Sequence, residues 1–337
     1  MFLSLQNINK STQSRPGIYS TNLNMVVQQN AALPDGLEIS GYRIVKKIAM
    51  GGFSIVYLAH DADGQDVAIK EYLPAALVHR KHGELLPVIA PEHRDLYRIG
   101  LKYFFDEGRA LASIVHPNVI RVLNFFRANK TVYLVMSYER GRSLQEHLAR
   151  RRQKGYKPLV SESAIRRIFA QVMDALREVH THKLLHLDLK PANIYLRTDG
   201  TPFLLDFGAA RQTLKTDLST LHTMYTPGFA APELYTKKEL GPWTDIYSIG
   251  ASMFNCMVGV PPQSATERTR DDRMDEFYGE LETIYSPELL KLVRWSLMLD
   301  PLQRPQSVFA LQKPMRRLVE KEITPNTLLS RLRKLVN

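Results

Sequence analysis

His186-Leu187-Asp188-Leu189-Lys190-Pro191-Ala192-Asn193, followed thirteen residues later by Asp206-Phe207-Gly208, is the stretch that decides how this 337-residue chain reads. Asp188 and Asn193 stand five apart on one loop. That spacing sets an acceptor for a hydroxyl proton beside an amide oxygen able to ligate magnesium. Asp206 is a carboxylate at a strand end before a glycine, a position suited to a hard cation. Singly, each has a plainer explanation: a histidine in an apolar stretch is usually a core residue, and Asp before Gly is usually a turn. In this order and at these spacings, chance is a poor account.

Upstream, Ile48-Ala49-Met50-Gly51-Gly52-Phe53-Ser54-Ile55-Val56 places Gly-Gly between two strand-like runs. Such a turn lets backbone N–H groups approach a phosphate closely. A ligand-free turn between strands is the commoner reason for Gly-Gly. In Val67-Ala68-Ile69-Lys70 a lysine ends an apolar strand, where its cation can reach the phosphates of a nucleotide under the glycine turn; the alternative is a snorkelling surface lysine. Glu107, in the helical stretch that follows, is the carboxylate that would hold Lys70 straight and charged.

The bulk composition accommodates this reading. The length suits two lobes, each with its own core. With 44% hydrophobic and 23% charged residues, the chain lies in the ordinary folded range. No apolar run reaches the ~20 residues that span a bilayer, and the longest, 246–260, is broken by Ser248, Gly250, Ser252 and Asn255. The opening MFLSLQNINK lacks the basic start and apolar stretch of a secretory signal. The lone Cys256, in MFNCMVG, reads as a buried inert thiol and fits a reducing cytoplasm. The net charge of +11 is spread over short clusters near 150–152, 166–167, 316–317 and 331–334. Without interleaved aromatics or a zinc or RNA-recognition pattern, these read as solvated helix faces, which argues against nucleic acid.

Residues 1–36 are rich in Ser, Thr, Asn and Gln and end in the turn signal Leu-Pro-Asp-Gly, so a flexible tail is expected, with Met25 as an alternative start. Residues 37–136 read as a β-rich lobe: strands around the glycine turn and around Asp63-Gly64, a loop punctuated by Pro74, Pro87 and Pro91, one helix over about 93–115, and strands near 119–127 and 131–138. Residues 137–320 read as a helical lobe. It contains SLQEHLARR, then SESAIRRIFAQVMDALREVH capped by Ser161 or Ser163, short strands beside the decisive loop, and helices near 244–258, 287–299 and 307–320. Residues 321–337 form a basic C-terminal helix or tail. The expected fold class is α+β with two lobes.

On these residues the chain resembles the eukaryotic-type serine/threonine protein kinases. The likeness runs from about 42 to 318 and takes in the glycine loop, VAIK, Glu107, HPNV, a hinge after Met136, the loop at 186–193, Asp206-Phe207-Gly208 and Ala231-Pro232-Glu233. Asp245 in DIYSIG and Arg304 in DPLQRP match scaffold positions that anchor the catalytic loop and pair with Glu233. IKEYLPAALVHR, FLLDFGAAR and YTPGFAAPEL are most similar to bacterial members.

The resemblance implies transfer of the γ-phosphate of ATP, with magnesium or manganese, to Ser/Thr hydroxyls of a protein substrate and of the chain itself. It implies that Asp188 accepts the hydroxyl proton, Lys190 neutralises the γ-phosphate, and Asn193 and Asp206 hold the metal. Backbone amides of Ala49, Met50, Gly51 and Gly52 would hold the phosphates together with Lys70, itself held straight by Glu107. Val56, Ala68 and Tyr195 would enclose adenine beside the hinge Met136, Ser137, Tyr138 and Glu139. The substrate would rest on 211–233, with Thr226 and Lys190 selecting aliphatic hydroxyls.

Three departures stand out. Ala49 and Ser54 replace glycines of the family pattern, implying a stiffer phosphate loop. Residues 74–95 are longer than usual, either a docking surface or a passive loop. Leu187 replaces the arginine that precedes the catalytic aspartate. With no guanidinium to capture a phosphorylated loop residue, phosphorylation of Thr213, Thr216, Ser219, Thr220 or Thr223 is not expected to be required, and apolar contacts from Leu187 are expected to order the loop. Two rival classes remain. A pseudokinase scaffold would lack a catalytic group, yet Lys70, Glu107, Asp188, Asn193 and Asp206 are all present. An aminoglycoside-type small-molecule phosphotransferase shares the His-x-Asp…Asn loop but not Lys190 or the peptide loop ending in Ala231-Pro232-Glu233.

Overall fold

The computed structural model describes residues 30–205, 225–236 and 239–316. A short β1 (Glu38–Ile39) turns into β2 (Tyr42–Met50), β3 (Ser54–His60) and β4 (Asp66–Tyr72). In β3 burial alternates, with Ile55, Tyr57 and Ala59 inside, as the two-residue period of a strand requires. β4 is buried from Val67 to Tyr72, so both of its faces are covered. The 74–95 stretch holds a two-stranded hairpin, β5 (Val78–His79) and β6 (Val88–Ile89), whose strands are too short to leave a period in the sequence. After α1 (Arg94–Ala112) come β7 (Val122–Ala128) and β8 (Thr131–Ser137), which complete an antiparallel sheet of order β1-β2-β3-β4-β8-β7.

The pairings sort this sheet into two faces. Val56 lies opposite Lys70, and Lys70 opposite Leu134; Ala68 lies opposite Met136. Cross-strand partners share a face and neighbours alternate, so Lys70 and Glu71 point to opposite sides. α1 covers the Lys70 side. Its Tyr97 and Phe104 rings lie 5.5 and 5.4 Å from the Tyr72 ring. A Cβ at Gly100 would overlap the Tyr72 hydroxyl, and one at Gly108 would overlap Leu134, so glycine at both places lets the helix lie this close.

The Glu71 side is covered by residues 30–33 and Arg80. Leu33 is buried, and Ala31 exchanges two hydrogen bonds with Arg80: its amide donates to the Arg80 carbonyl (2.9 Å), and its carbonyl accepts from Arg80 Nε (2.9 Å). Residues 30–33 thus pack on the lobe, where this short segment supplies an apolar side chain and backbone partners to an otherwise open face. Residues 1–29 lie outside the described residues.

The second lobe has its own core. β9 (Gly141–Ser143) leads into α2 (Leu144–Gln153), opened by a capping box between Ser143 and Glu146. α3 (Glu162–Thr181) is capped by Ser161, whose Oγ accepts from the Ala164 amide, and buries Ile165, Phe169, Val172, Leu176 and Val179 at three- and four-residue spacing. β10 (Ile194–Arg197) pairs with β9 and with β11 (Pro202–Leu204). α4 (Pro232–Thr236), α5 (Pro242–Val258), α6 (Ala265–Arg270), α7 (Met274–Leu281) and α8 (Pro287–Ser296) follow. α6 and α7, of six and eight residues, were not anticipated. α5 is buried on nearly every side and carries Cys256, whose thiol is pushed up by burial. No helix among the described residues is long and apolar enough to cross a membrane.

Candidate active site

The 186–193 loop is a dense hydrogen-bonded unit. Lys190 Nζ donates to both Asp188 oxygens (2.9 and 2.7 Å) and to Thr226 Oγ1 (2.8 Å). Thr226 Oγ1 in turn donates to Asp188 Oδ1 (3.2 Å). Asn193 Nδ2 donates to the Asp188 carbonyl (2.8 Å) and to Asp188 Oδ2 (3.1 Å). The Asp188 carboxylate is thus fixed by three side chains, one of them from the distant 225–236 segment. These bonds engage the Asn193 side-chain nitrogen and not its Oδ1.

The loop is held from below by Asp245 of α5, which is fully buried. Its two oxygens accept from the amides of His186 (2.9 Å) and Leu187 (2.8 Å), and His180 Nε2 lies 2.8 Å from Oδ2. Burial alone would raise this carboxyl. The His180 hydrogen bond, the charges of His180 and His186 and the Leu187 amide outweigh it, and the group sits below the usual carboxylate range. The amide contacts also offset backbone strain, since Leu187 has φ +61°, a left-handed conformation unfavourable by roughly 1–3 kcal/mol for a non-glycine residue. The Leu187 side chain packs with Leu185, Ala230 and Leu234, so apolar contact joins the catalytic loop to the 225–236 segment.

The Leu205 amide donates to the Asn193 carbonyl (2.9 Å), and the Leu205 carbonyl is 3.2 Å from His186 Nε2. These contacts carry the chain to the residue before Asp206. Asp206 itself, Arg211 and the five loop hydroxyls lie outside the described residues. Among the described residues no three His, Cys, Asp or Glu side chains converge as a metal cluster.

On the sheet side, Lys70 Nζ lies 5.6 Å over the Phe104 ring of α1, the helix that carries Glu107. Val56, Ala68 and Met136 share the face of Lys70. Across the cleft the Tyr195 ring packs on Phe203 at 5.2 Å. At the hinge the Ser137 amide already donates to the Arg121 carbonyl (3.0 Å), whereas Tyr138 and Glu139 make no backbone–backbone bond among the described residues. Glu139 instead pairs its carboxylate with Arg197 (3.2 Å), a contact the sequence reading missed.

The glycine turn is more constrained than its sequence suggests. The Gly52 and Phe53 carbonyls accept from the amides of Ala75 and Leu73 (both 2.8 Å), which ties the turn to the start of the insertion. Neither Gly51 nor Gly52 has positive φ, and a Cβ at Gly52 would meet nothing within 4 Å. Neither backbone conformation nor contact with other described residues requires glycine at 52.

An antiparallel sheet lobe with one long helix, a helical lobe, and an Asp-Lys-Asn loop anchored on a buried aspartate define a phosphotransferase of the kinase class. Comparison with known proteins agrees. The Protein kinase domain family matches residues 42–315, and the chain belongs to that family. It is 28% identical over 305 residues to the serine/threonine-protein kinase STE20 of Candida glabrata, covering 88% of this chain and 30% of that one. To the probable serine/threonine-protein kinase PknB of Lactococcus lactis it is 29% identical over 222 residues, covering 66% and 32%. The chain thus spans about a third of the length of these two relatives. Among solved structures, PpkA-294 in its apo form matches with TM-score 0.75 and 33% identity over 84% of this chain and 99% of that one. The PknI kinase domain of Mycobacterium tuberculosis, at TM-score 0.61 and 23% identity, shares the fold. The domain is a bacterial-like serine/threonine protein kinase domain, of a family that uses ATP and magnesium.

Proposed function

We propose that this chain transfers the γ-phosphoryl group of ATP to serine and threonine hydroxyls of protein substrates, itself included, in the cytoplasm. The observation that carries the reading is the Asp188–Lys190–Thr226–Asn193 unit, in which a carboxylate is oriented by a cation, a hydroxyl and an amide. Asp188 accepts the proton of the incoming hydroxyl. Lys190 moves with the charge, its Nζ close enough to Asp188 to bind a phosphoryl oxygen without leaving the loop. Magnesium, held by Asn193 and Asp206, would neutralise phosphate charge when bound. Lys70 and the amides of 49–52 position the phosphates, Val56, Ala68 and Tyr195 hold the base, and Tyr138 and Glu139 offer the hinge groups. Thr226, hydrogen-bonded to Lys190 and Asp188, supports selection of aliphatic hydroxyls over tyrosine.

The test is incubation with radiolabelled ATP and magnesium, beside Asp188→Asn and Lys70→Ala, followed by phosphoamino-acid analysis. Loss of the general base is expected to lower transfer by at least about a hundredfold. Label should sit on serine and threonine, and Mg-ATP should raise the melting temperature of the wild type. Transfer undiminished in Asp188→Asn, or label mainly on tyrosine, overturns the reading.

A further inference from the structure

The insertion builds a surface whose charge the lobe leaves unneutralised. Between β6, α1 and the β7–β8 turn lie two adjoining cavities of about 540 and 590 Å³, which share Arg98 and Lys130 in their walls. Arg94, Arg98 and Lys102 succeed one another at four-residue intervals along α1, and Arg127 and Lys130 approach from the β7–β8 hairpin. No ion pair of the five is found among the described residues, although Arg127 stacks over the Phe105 ring at 5.3 Å; the Arg109–Asp106 pair of α1 lies farther along the helix. Glu84 is the one carboxylate in the lining among the described residues. Leu86 and Val88, both exposed, add an apolar rim.

Five cations against one carboxylate call for a multiply charged anion, and arginine forks suit a phosphoryl group. The chain offers a candidate next to the groove. Asn30 Oδ1 accepts from the Arg80 amide (2.7 Å), and His79, one residue before, pairs with Val88 of the groove rim. Asn30, the first described residue, therefore lies one hydrogen bond from the hairpin whose second strand rims this groove. The sequence of residues 1–29 holds Lys10 and Arg15 and no Asp or Glu, so the unmodified segment is repelled. Ser20 and Thr21 are ten and nine residues from Asn30, about 30–36 Å of fully extended chain, and Ile18, Tyr19 and Leu23 flank them in sequence with apolar side chains to match Leu86 and Val88.

We propose that phosphorylated Ser20 and Thr21 dock in this groove, which makes it a receptor for the kinase's own product. The proposal rests on the activity stated above. In forming that product the hydroxyl oxygen bonds to the γ-phosphorus as the bond to the bridging β–γ oxygen breaks; ADP leaves with that electron pair and the hydroxyl proton passes to Asp188. The phosphate adds about −1.5 to −2 charge and converts repulsion into attraction.

The experiment is fluorescence anisotropy of a synthetic peptide of residues 14–29, phosphorylated at Ser20 and Thr21, on the phosphatase-treated full chain. The peptide is made chemically, so binding is read whether or not the chain catalyses. Radiolabel transfer by the same preparation separately reports on the activity. The phosphopeptide should bind at least tenfold more tightly than its unphosphorylated form and at least fivefold more tightly than a scrambled doubly phosphorylated peptide. Both Arg98→Glu/Lys130→Glu and Arg94→Glu/Lys102→Glu should weaken it at least tenfold. Equal binding of the scrambled peptide would mean a general phosphopeptide surface, and binding of phosphatidylserine vesicles in its place would mean a membrane surface; either overturns the proposal. Affinity unchanged in both charge-reversal variants would overturn it too.

Discussion

Among the described residues, one arginine–glutamate pair in each lobe is fully buried, and the two are built differently. In the helical lobe Arg304 donates to both oxygens of Glu233 (2.7 and 2.9 Å) and also to the carbonyls of Met298, Trp243 and Leu299. The cation there organises backbone. In the sheet lobe Glu71 is the hub: its carboxylate accepts two bonds from Arg80 (2.5 and 2.7 Å), one from Tyr57 (2.7 Å) and one from Tyr133 (2.8 Å). Both side chains of this pair are 0% exposed. The first pair fastens Glu233, in the first turn of α4, to the scaffold beneath it. The second fastens the insertion and residues 30–33 to the strand that carries Lys70. One is scaffold shared by the fold, and the other holds an addition to it.

Removing one partner of a buried pair costs about 3–5 kcal/mol, because the other charge is left behind. Arg304→Ala also strips donors from three carbonyls, so the loss is expected near the upper end, about 5 kcal/mol, and spread over the whole helical lobe. In Arg80→Ala the Tyr57 and Tyr133 hydroxyls remain to solvate Glu71, so about 3 kcal/mol is expected, with proteolysis near residues 30–33 as its local mark. Denaturant unfolding with mass-spectrometric mapping of early cuts checks both. Equal losses without early cutting at 30–33 would break the distinction between hub and clamp.

How far each region could be read beforehand follows the same division. Glu233 and Arg304 are 71 residues apart, yet each lies in a recognisable phrase, and the 186–193 loop carries its chemistry within eight residues. Glu71 and Arg80 are nine apart and passed as ordinary charges, because a strand ending in Lys-Glu reads as an exposed edge unless something covers its second face. What covers it is residues 30–33 and a hairpin of two-residue strands, both too short for periodicity to register. For the glycine turn the sequence offers only Ala49 and Ser54; the bonds that its carbonyls accept from Leu73 and Ala75 need the fold to be seen. Leu187 was expected to replace charge by apolar contact, and its packing on Ala230 and Leu234 has that form.

A third buried carboxylate, Asp245, sharpens the contrast, because its side-chain partner is a histidine and not an arginine. Its folded pKa lies below the ordinary value of 3.8, so its contribution is complete above that value and is lost as pH falls through the lower folded value. Asp245→Asn should cost about 2–3 kcal/mol at neutral pH, since one amide loses its charged acceptor and His180 its partner. Stability measured from pH 6 to pH 2 should then fall less steeply below about pH 4 in the variant than in the wild type. Parallel acid limbs would assign the acid sensitivity to another group.

The smallest expected effect lies within the Glu71 hub. The Tyr57 hydroxyl donates to Glu71, accepts from Arg80 Nη2 (3.0 Å) and accepts the buried Leu33 amide (3.1 Å). The Tyr133 hydroxyl donates to Glu71 and accepts from Asn129 Nδ2 (3.2 Å), at a partly exposed site where water can take over. Burial first, and the Glu71 charge second, push both hydroxyls above the ordinary tyrosine range, so both stay protonated donors at any pH the fold tolerates. Tyr57→Phe leaves a buried N–H without an acceptor, which costs about 1–3 kcal/mol, whereas Tyr133→Phe removes one bond from a carboxylate that keeps three, about 0.5–1.5 kcal/mol. Hydrogen exchange at the Leu33 amide separates the two: it should quicken in Tyr57→Phe and stay unchanged in Tyr133→Phe. Equal quickening in both would mean that residues 30–33 are held by the hub as a whole and not through the Tyr57 hydroxyl.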